Sequence, residues 1–335
     1  MASVSMNKLS PTTFPWLVAD IGGSNARFGW IASKDAGIEF VRTLPVIGFT
    51  DPVAATNAYL AELAAQLKED YQAPRCAAFA VATAVASDQV VFTNSHWSFS
   101  RAAVQSALQL DTFIVLNDFE ALALSLPRLS ATQLKSNGPL PVQTGTLAVI
   151  GPGTGLGVAG VIETKKGWIA LPGEGGHATL AAGDEFESAL LNHVRTLYPH
   201  VSAERLLSGI GLPVLHNAVA AVMQVSVTEL STETIVEQGL ANSDPVCAKT
   251  LDIFCALLGS FAGSVALILG ARGGVYIGGG IVPRLGDYFF QSRFRERFEA
   301  KGRFDGYLKH IPTALITDTL AALTGAAMAI EQQVE

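Results

Sequence analysis

Two stretches limit most strongly what this chain can fold into: "LVADIGGSNARFGWI" at residues 17–31 and "LAVIGPGTGLGVAGVI" at residues 147–162. Each is a short apolar run, a glycine-rich turn carrying a hydroxyl residue, and a second β-like run. Glycine admits positive φ and lets backbone N–H groups approach an anion closely, so such turns commonly hold phosphate. Three designs compete for them. A Walker A loop is excluded, because no Gly-Lys dipeptide occurs anywhere in the chain. A dinucleotide fingerprint is formally present in Gly155-Leu156-Gly157-Val158-Ala159-Gly160, with Glu174 about twenty residues on. That fingerprint needs a helix starting in the glycines, whereas the residues that follow alternate around Lys165-Lys166-Gly167 as a hairpin. What remains is strand–turn–strand, once in each half: two hairpins able to clasp a triphosphate from both sides. Asp20, at the head of the first turn, is placed to sit near the Mg²⁺ that neutralises such phosphates, and its competing role is an Asx-type turn residue. Gly278-Gly279-Gly280 offers bare backbone on which a flat adenine or ribose can lie.

At 335 residues the chain is long enough for two domains, since single cores stop growing near ~250–300 residues. A net charge of −7 argues against a nucleic-acid partner, which needs a basic footprint. Cys76, Cys247 and Cys255 form no C-x-x-C pair and no disulfide framework, which suits a reducing, cytoplasmic setting. The first fifteen residues are polar, lack an apolar core and do not read as a signal peptide; they are expected to fray. From Ile253 to Ala271 the chain carries no charge, and Gly259 and Gly263 form a G-x-x-x-G. That length can span a bilayer. No second span exists, and the segment runs straight into another strand-and-glycine turn, so it reads as a helix buried on all sides, and no membrane partner is expected.

Strands and helices interleave, which favours an α/β architecture. "TDPVAATNAYLAELAAQLKED" predicts a helix that Thr50 or Asp51 can cap, with Pro52 in its first turn. "CAAFAVATAV" predicts a buried strand, and "TFIVLNDFEALALSLP" a strand ending at Asn117-Asp118 with a short helix halted by Pro127. A domain boundary is expected at residue 128, giving a smaller domain over 1–127 and a larger one over 128–312. A helix is expected from about Asp184 to Tyr198, and more helix from Ser202. The C-terminal segment, about 313–335, reads as a helix returning to the first domain.

The chain resembles the bacterial ATP-dependent glucokinases of the type without a Cys-rich zinc site. The motifs that carry the resemblance are "ADIGGSNARFGW", "TNSHW", "LNDFEALAL", "GPGTGLGVA", "LPGEGGHATLA", "SAERLLSGIGL", "GGVYIGGGIVPRL" and "KGRF", spread over nearly the whole chain from Leu17. One departure is Ser24, where the family usually has Thr; the hydroxyl is kept. The resemblance implies a two-domain α/β fold of the actin-like, ribonuclease H-like ATPase (hexokinase) type with an interdomain cleft. It implies glucose and ATP as substrates, Mg²⁺ as cofactor, and a homodimer. Carried over by resemblance, Asn117 and Asp118 meet the sugar, with Asp118 as the base on the 6-hydroxyl. Glu174, His177 and Glu204 hold the remaining hydroxyls. Ala19, Asp20, Ile21, Gly22, Gly23 and Ser24 form one phosphate turn, Gly153, Thr154 and Gly155 the opposing one, and Gly279 lies in the nucleotide turn. No residue is assigned as a metal ligand, and His193 and His200 read as surface residues.

The residues themselves permit plainer roles. An Asp between strand and helix is often only a cap, although ligands in open α/β sheets bind beyond the carboxyl ends of strands, where Asp118 lies. Glu204 can complement a helix N-terminus. Glu174 and His177 lie in a glycine-rich loop with little to contribute to a core, so there the binding role leads. A sugar offers hydroxyls that donate and accept, and carboxylates, Asn and His are suited to them. Two readings from other classes stay open, a dinucleotide oxidoreductase and a non-catalytic sugar-responsive protein. Within the enzymes, the nearest alternative is a kinase for another hexose or amino sugar.

Overall fold

The computed structural model describes residues 13–92 and 94–334; the expectation of a frayed start falls mostly outside them, as does Thr93 of the "TNSHW" motif. The chain divides into two compact units. One runs to Ser125 and takes back the chain from Leu320; the other is Leu126–Thr319.

The first unit is built on β1 (Trp16–Ile21), β2 (Asn25–Ile31), β3 (Glu39–Pro45), α1 (Pro52–Leu67), β4 (Cys76–Val81), β5 (Gln89–Val91), β6 (Ser98–Ser100), α2 (Arg101–Ala107), β7 (Thr112–Asn117) and α3 (Asp118–Ser125). Its main sheet has the order β3-β2-β1-β4-β7. The hairpin pairs are antiparallel, and β1, β4 and β7 run parallel. β1 and β4 are covered on both faces, which explains their near-continuous apolar sequence. Leu17, Ala19 and Ile21 face the cluster that holds Tyr59 and Leu63 of α1. Trp16 and Val18 face Leu323, Ala326 and Ile330 of the C-terminal helix, Ala321–Val334. Asp51, not Thr50, caps α1, its side chain accepting from the Ala54 N–H at 2.9 Å.

The second unit comprises β8 (Leu134–Lys135), β9 (Thr146–Pro152), β10 (Leu156–Thr164), β11 (Gly167–Gly173), α4 (Glu185–Arg195), α5 (Gly211–Met223), α6 (Thr232–Leu240), α7 (Pro245–Leu269), β12 (Gly274–Ile277) and β13 (Thr313–Ile316), with short helices between the last two. The sheet order is β11-β10-β9-β12-β13-β8. Leaving aside the edge strand β8, this is the first sheet again: a three-stranded antiparallel meander followed by two parallel strands. β10 and β11 pair in register from Ala159↔Pro172 to Thr164↔Gly167, so the stretch after the glycines is a hairpin and the dinucleotide reading falls. α7 is long and apolar enough to cross a bilayer, yet 72% of its most apolar window is buried in this unit. A Cβ on Gly259 would strike the carbonyl oxygen of Phe294, and one on Gly263 that of Phe298. The two glycines let helix Phe294–Glu299 lie against α7.

Three expectations change. Residues 313–316 are not helical: the short apolar run Thr313–Ile316 pairs with β12 in the second unit, and only the chain from Leu320 joins the first. No helix starts at Ser202, and α5 begins only at Gly211. The backbone N–H groups of Ala203 and Glu204 are bonded to the carbonyls of Ala178 and Gly176, so the segment is pinned to a neighbouring loop. α4 stops at Arg195, with the Thr196 N–H turned onto the carbonyl of His193.

Candidate active site

In the first unit the parallel order β1-β4-β7 brings the carboxyl end of β1, with Asp20, alongside that of β7, with Asn117 and Asp118. Asn117, rather than Asp118, caps α3. Its amide oxygen accepts from the N–H groups of Phe119 (2.9 Å) and Glu120 (3.3 Å), and its Nδ2 donates to the carbonyl of Thr83 (3.2 Å). Asp118 is the first helical residue; its carboxylate accepts from the Phe119 N–H, at 3.0 Å, and is also hydrogen-bonded by the Asn117 side chain. Burial, then the charge of Asp20, push Asp118 from 3.8 up to about 7, against the helix-start N–H groups that pull it down. Asp20 is raised too, by burial, and is partly relieved by Arg27, its antiparallel partner on β2.

The turn Ile21-Gly22-Gly23-Ser24 is closed by the Gly22 N–H on the Asn25 carbonyl at 2.9 Å. Ala19 and Ile21 are buried in the sheet, so their contribution to this turn is backbone only. The Ser24 hydroxyl-bearing residue is exposed. A Cβ on Gly23 would meet the carbonyl oxygen of Asn94, which shows how closely the 94–97 segment approaches the turn. That segment is anchored by His96 Nε2 and Trp97 Nε1, both bonded to the Phe49 carbonyl, at 2.9 and 3.0 Å.

In the second unit, Glu204 ties two loops together. Its Oε2 accepts from the Leu156 N–H at 2.9 Å, at the end of the turn Gly153-Thr154-Gly155. Its Oε1 stands 3.9 Å from Nδ1 of His177. A Cβ on Gly155 would run into the Glu204 carboxylate, and one on Gly176 into the Leu156 carbonyl, so both glycines are required by close approach. Glu174 and His177 flank this loop with exposed side chains, and the His177 N–H is bonded to the Glu174 carbonyl at 3.0 Å. Behind the turn, the Gly209 N–H holds the Gly153 carbonyl at 2.7 Å, and the Thr232 hydroxyl holds that of Gly209. Gly279 has φ +76°, and a Cβ there would strike the Pro152 carbonyl, which accepts instead from the Ile281 N–H at 3.1 Å. The glycine turn after β12 and the one after β9 are therefore side by side.

Each unit thus gathers the residues that its sequence motifs scatter. Asp20, Asn117 and Asp118 meet in one; Gly153–Gly155, Gly279, Glu174, His177 and Glu204 meet in the other. Three supporting residues had no sequence role. Thr83 and Gly209 act through backbone carbonyls, which leave no mark in a sequence. Arg27 was detectable, because hairpin register places it opposite Asp20.

A half-buried carboxylate poised near neutrality at a strand end, next to a glycine turn on a repeated α/β frame, belongs to the sugar-kinase class of phosphotransferases. The chain belongs to the glucokinase family, whose model matches residues 17–333. It is 44% identical over 319 residues to a glucokinase of Neisseria meningitidis and 46% identical over 320 residues to one of Aromatoleum aromaticum, in each case over 95% of both chains. Among solved structures it is similar to the glucokinase of an Antarctic psychrotroph, with a TM-score of 0.86 and 37% identity over 95% of this chain and 98% of that one.

Proposed function

We propose that the chain transfers the γ-phosphoryl group of ATP to the 6-hydroxyl of glucose, giving glucose 6-phosphate and ADP in the cytoplasm, and works as a homodimer. The observation that carries this reading is Asp118, a carboxylate raised to about 7 at the end of a parallel strand. A base with that value takes a hydroxyl proton at neutral pH while being ionised enough to act. Asp118 accepts the proton from O6 as that oxygen attacks phosphorus in line. Asn117, with its amide oxygen committed to the helix and its Nδ2 to the Thr83 carbonyl, meets the sugar beside Asp118 and fixes the backbone from which Asp118 projects. Glu174, His177 and Glu204 hold the other hydroxyls.

The Ala19–Ser24 turn, through the backbone of Gly23 and Ser24, and the Gly153–Gly155 turn, through that of Thr154 and Gly155, present N–H groups to the phosphates, and Gly279 gives the nucleoside a flat bed. In this reading the two units face one another across a cleft that closes on the sugar and excludes water. Asp20, a carboxylate raised by burial, is a hard oxygen donor that suits Mg²⁺, which leaves Asp118 to act as the base. Neutralising charge on the phosphoryl oxygens is what Mg²⁺ supplies when bound, with Asp20 nearest to it.

A coupled assay of ATP consumption over a panel of hexoses and amino sugars tests the proposal. Glucose should give the highest kcat/KM. Preference for another sugar would move the assignment to a different kinase, and no turnover with any would end it.

A further inference from the structure

We propose that His216, Asp244 and Cys247 form a metal site in the second unit, apart from the phosphoryl-transfer residues, that takes a zinc-class ion. A ring nitrogen of His216, a carboxylate oxygen of Asp244 and Sγ of Cys247 lie within 4.8 Å of one another. His216 projects from α5; Asp244 and Cys247 belong to the start of α7. His216 is 1% exposed and Cys247 fully buried, while Asp244 is half-buried and gives the cluster a side open to an entering ion.

Among the described residues Nε2 of His216 is buried with no hydrogen-bond partner, although buried polar atoms are nearly always satisfied. Nδ1 of the same ring lies 3.4 Å from Oδ1 of Asn217. A contact of this kind on one nitrogen is what fixes the tautomer and orientation of a metal-bound imidazole. Asp244 already has a structural task, accepting the Cys247 N–H at 2.8 Å as the cap of α7. Its carboxylate also interacts with the Cys247 thiol and the His216 ring.

On binding, the ion forms a bond to sulfur and the thiol proton leaves to solvent. One divalent charge then balances one thiolate and one carboxylate. Imidazole, thiolate and carboxylate are the donor set of zinc, and thiolate disfavours Mg²⁺ and Ca²⁺, so the ion of the reaction does not compete here. Oε1 of Gln238, 3.6 Å from Sγ, or a water completes four-coordination. A bound ion would tie α5 to the start of α7 and stabilise the second unit. Ligands at 216, 244 and 247 match no short metal motif, which is why the sequence did not show them.

The test uses the whole chain, stripped with a chelator and titrated with Co²⁺, followed by displacement with Zn²⁺. One equivalent of Co²⁺ should give a thiolate-to-cobalt charge-transfer band that Zn²⁺ removes. Zn²⁺ should also raise the melting temperature. Cys247→Ser should abolish the band. Asp244→Asn keeps the helix cap, since Asn caps as well as Asp, and should weaken Zn²⁺ by about 10–100-fold. If Cys247→Ser does not fold, Asp244→Asn decides. No band in the wild type, a band that persists in Cys247→Ser, or unchanged Zn²⁺ affinity in Asp244→Asn would overturn the proposal.

Discussion

The two units repeat one sheet design and use it in opposite ways. In the first, β1 carries a carboxylate, Asp20, one residue before its end, and β7 is followed by another, Asp118; both are held above their ordinary values by burial. In the second, β9 ends in Gly151-Pro152, and its turn is shaped by backbone contacts to Gly209, Glu204 and the Gly279 turn. One strand–turn–strand thus sets carboxylates at its strand ends, while the other is shaped by close backbone approach around its glycines; in the proposed function the first handles a proton and a cation and the second a phosphate. Topology alone does not decide what a glycine turn does; the residues at the strand ends do.

The comparison breaks most visibly at Asp118. Asp118→Asn keeps the size and hydrogen-bonding reach of the side chain but cannot accept a proton at neutral pH. Its kcat should fall by about 10²–10⁴-fold, while glucose affinity measured by calorimetry changes by only ~1 kcal/mol. More than about a tenth of the wild-type kcat would place the base elsewhere.

The same variant should be more stable than the wild type in denaturant titrations near pH 8. The carboxyl binds its proton more tightly folded, at about 7, than unfolded, at 3.8. Stability from this group is therefore present below 3.8 and lost as pH rises through about 7. Removing the charge should recover about 1–4 kcal/mol at pH 8, and the gain should fade toward pH 4. A constant difference across that range would contradict the raised value.

In the second unit Glu204 touches both the phosphate turn and the His177 loop, whereas Glu174 touches neither turn glycine. Glu204→Ala should weaken glucose by about ten- to a hundredfold, worth ~1.5–3 kcal/mol, and also raise KM for ATP. Glu174→Ala should weaken glucose with KM for ATP unchanged. Equal effects of both variants on ATP would remove Glu204 as the link between the loops.

Much of this is legible in the sequence. The apolar runs of β1, β4 and β7, the cap of α1 and the burial of α7 follow from local pattern, because a strand covered on both faces can only be apolar. The candidate residues were legible as motifs. Their grouping was not, since the contact between Glu204 and the Leu156 N–H joins positions far apart in sequence through a backbone donor. The 202–209 segment was misread as helix for the same reason: its hydrogen bonds go to another loop, and helical composition does not reveal that. Asn117 was read as a sugar ligand, yet most of its amide is committed to α3 and Thr83.

The central claim is that the first unit's charged turn works through a base poised near neutrality, and the pH dependence of kcat/KM for glucose tests it most directly. With MgATP held well below its KM, log kcat/KM should be level above about pH 7 and fall with unit slope below it, following the value of Asp118 in the free enzyme. A profile that stays level down to about pH 5, where an ordinary carboxylate is still ionised, would contradict the account.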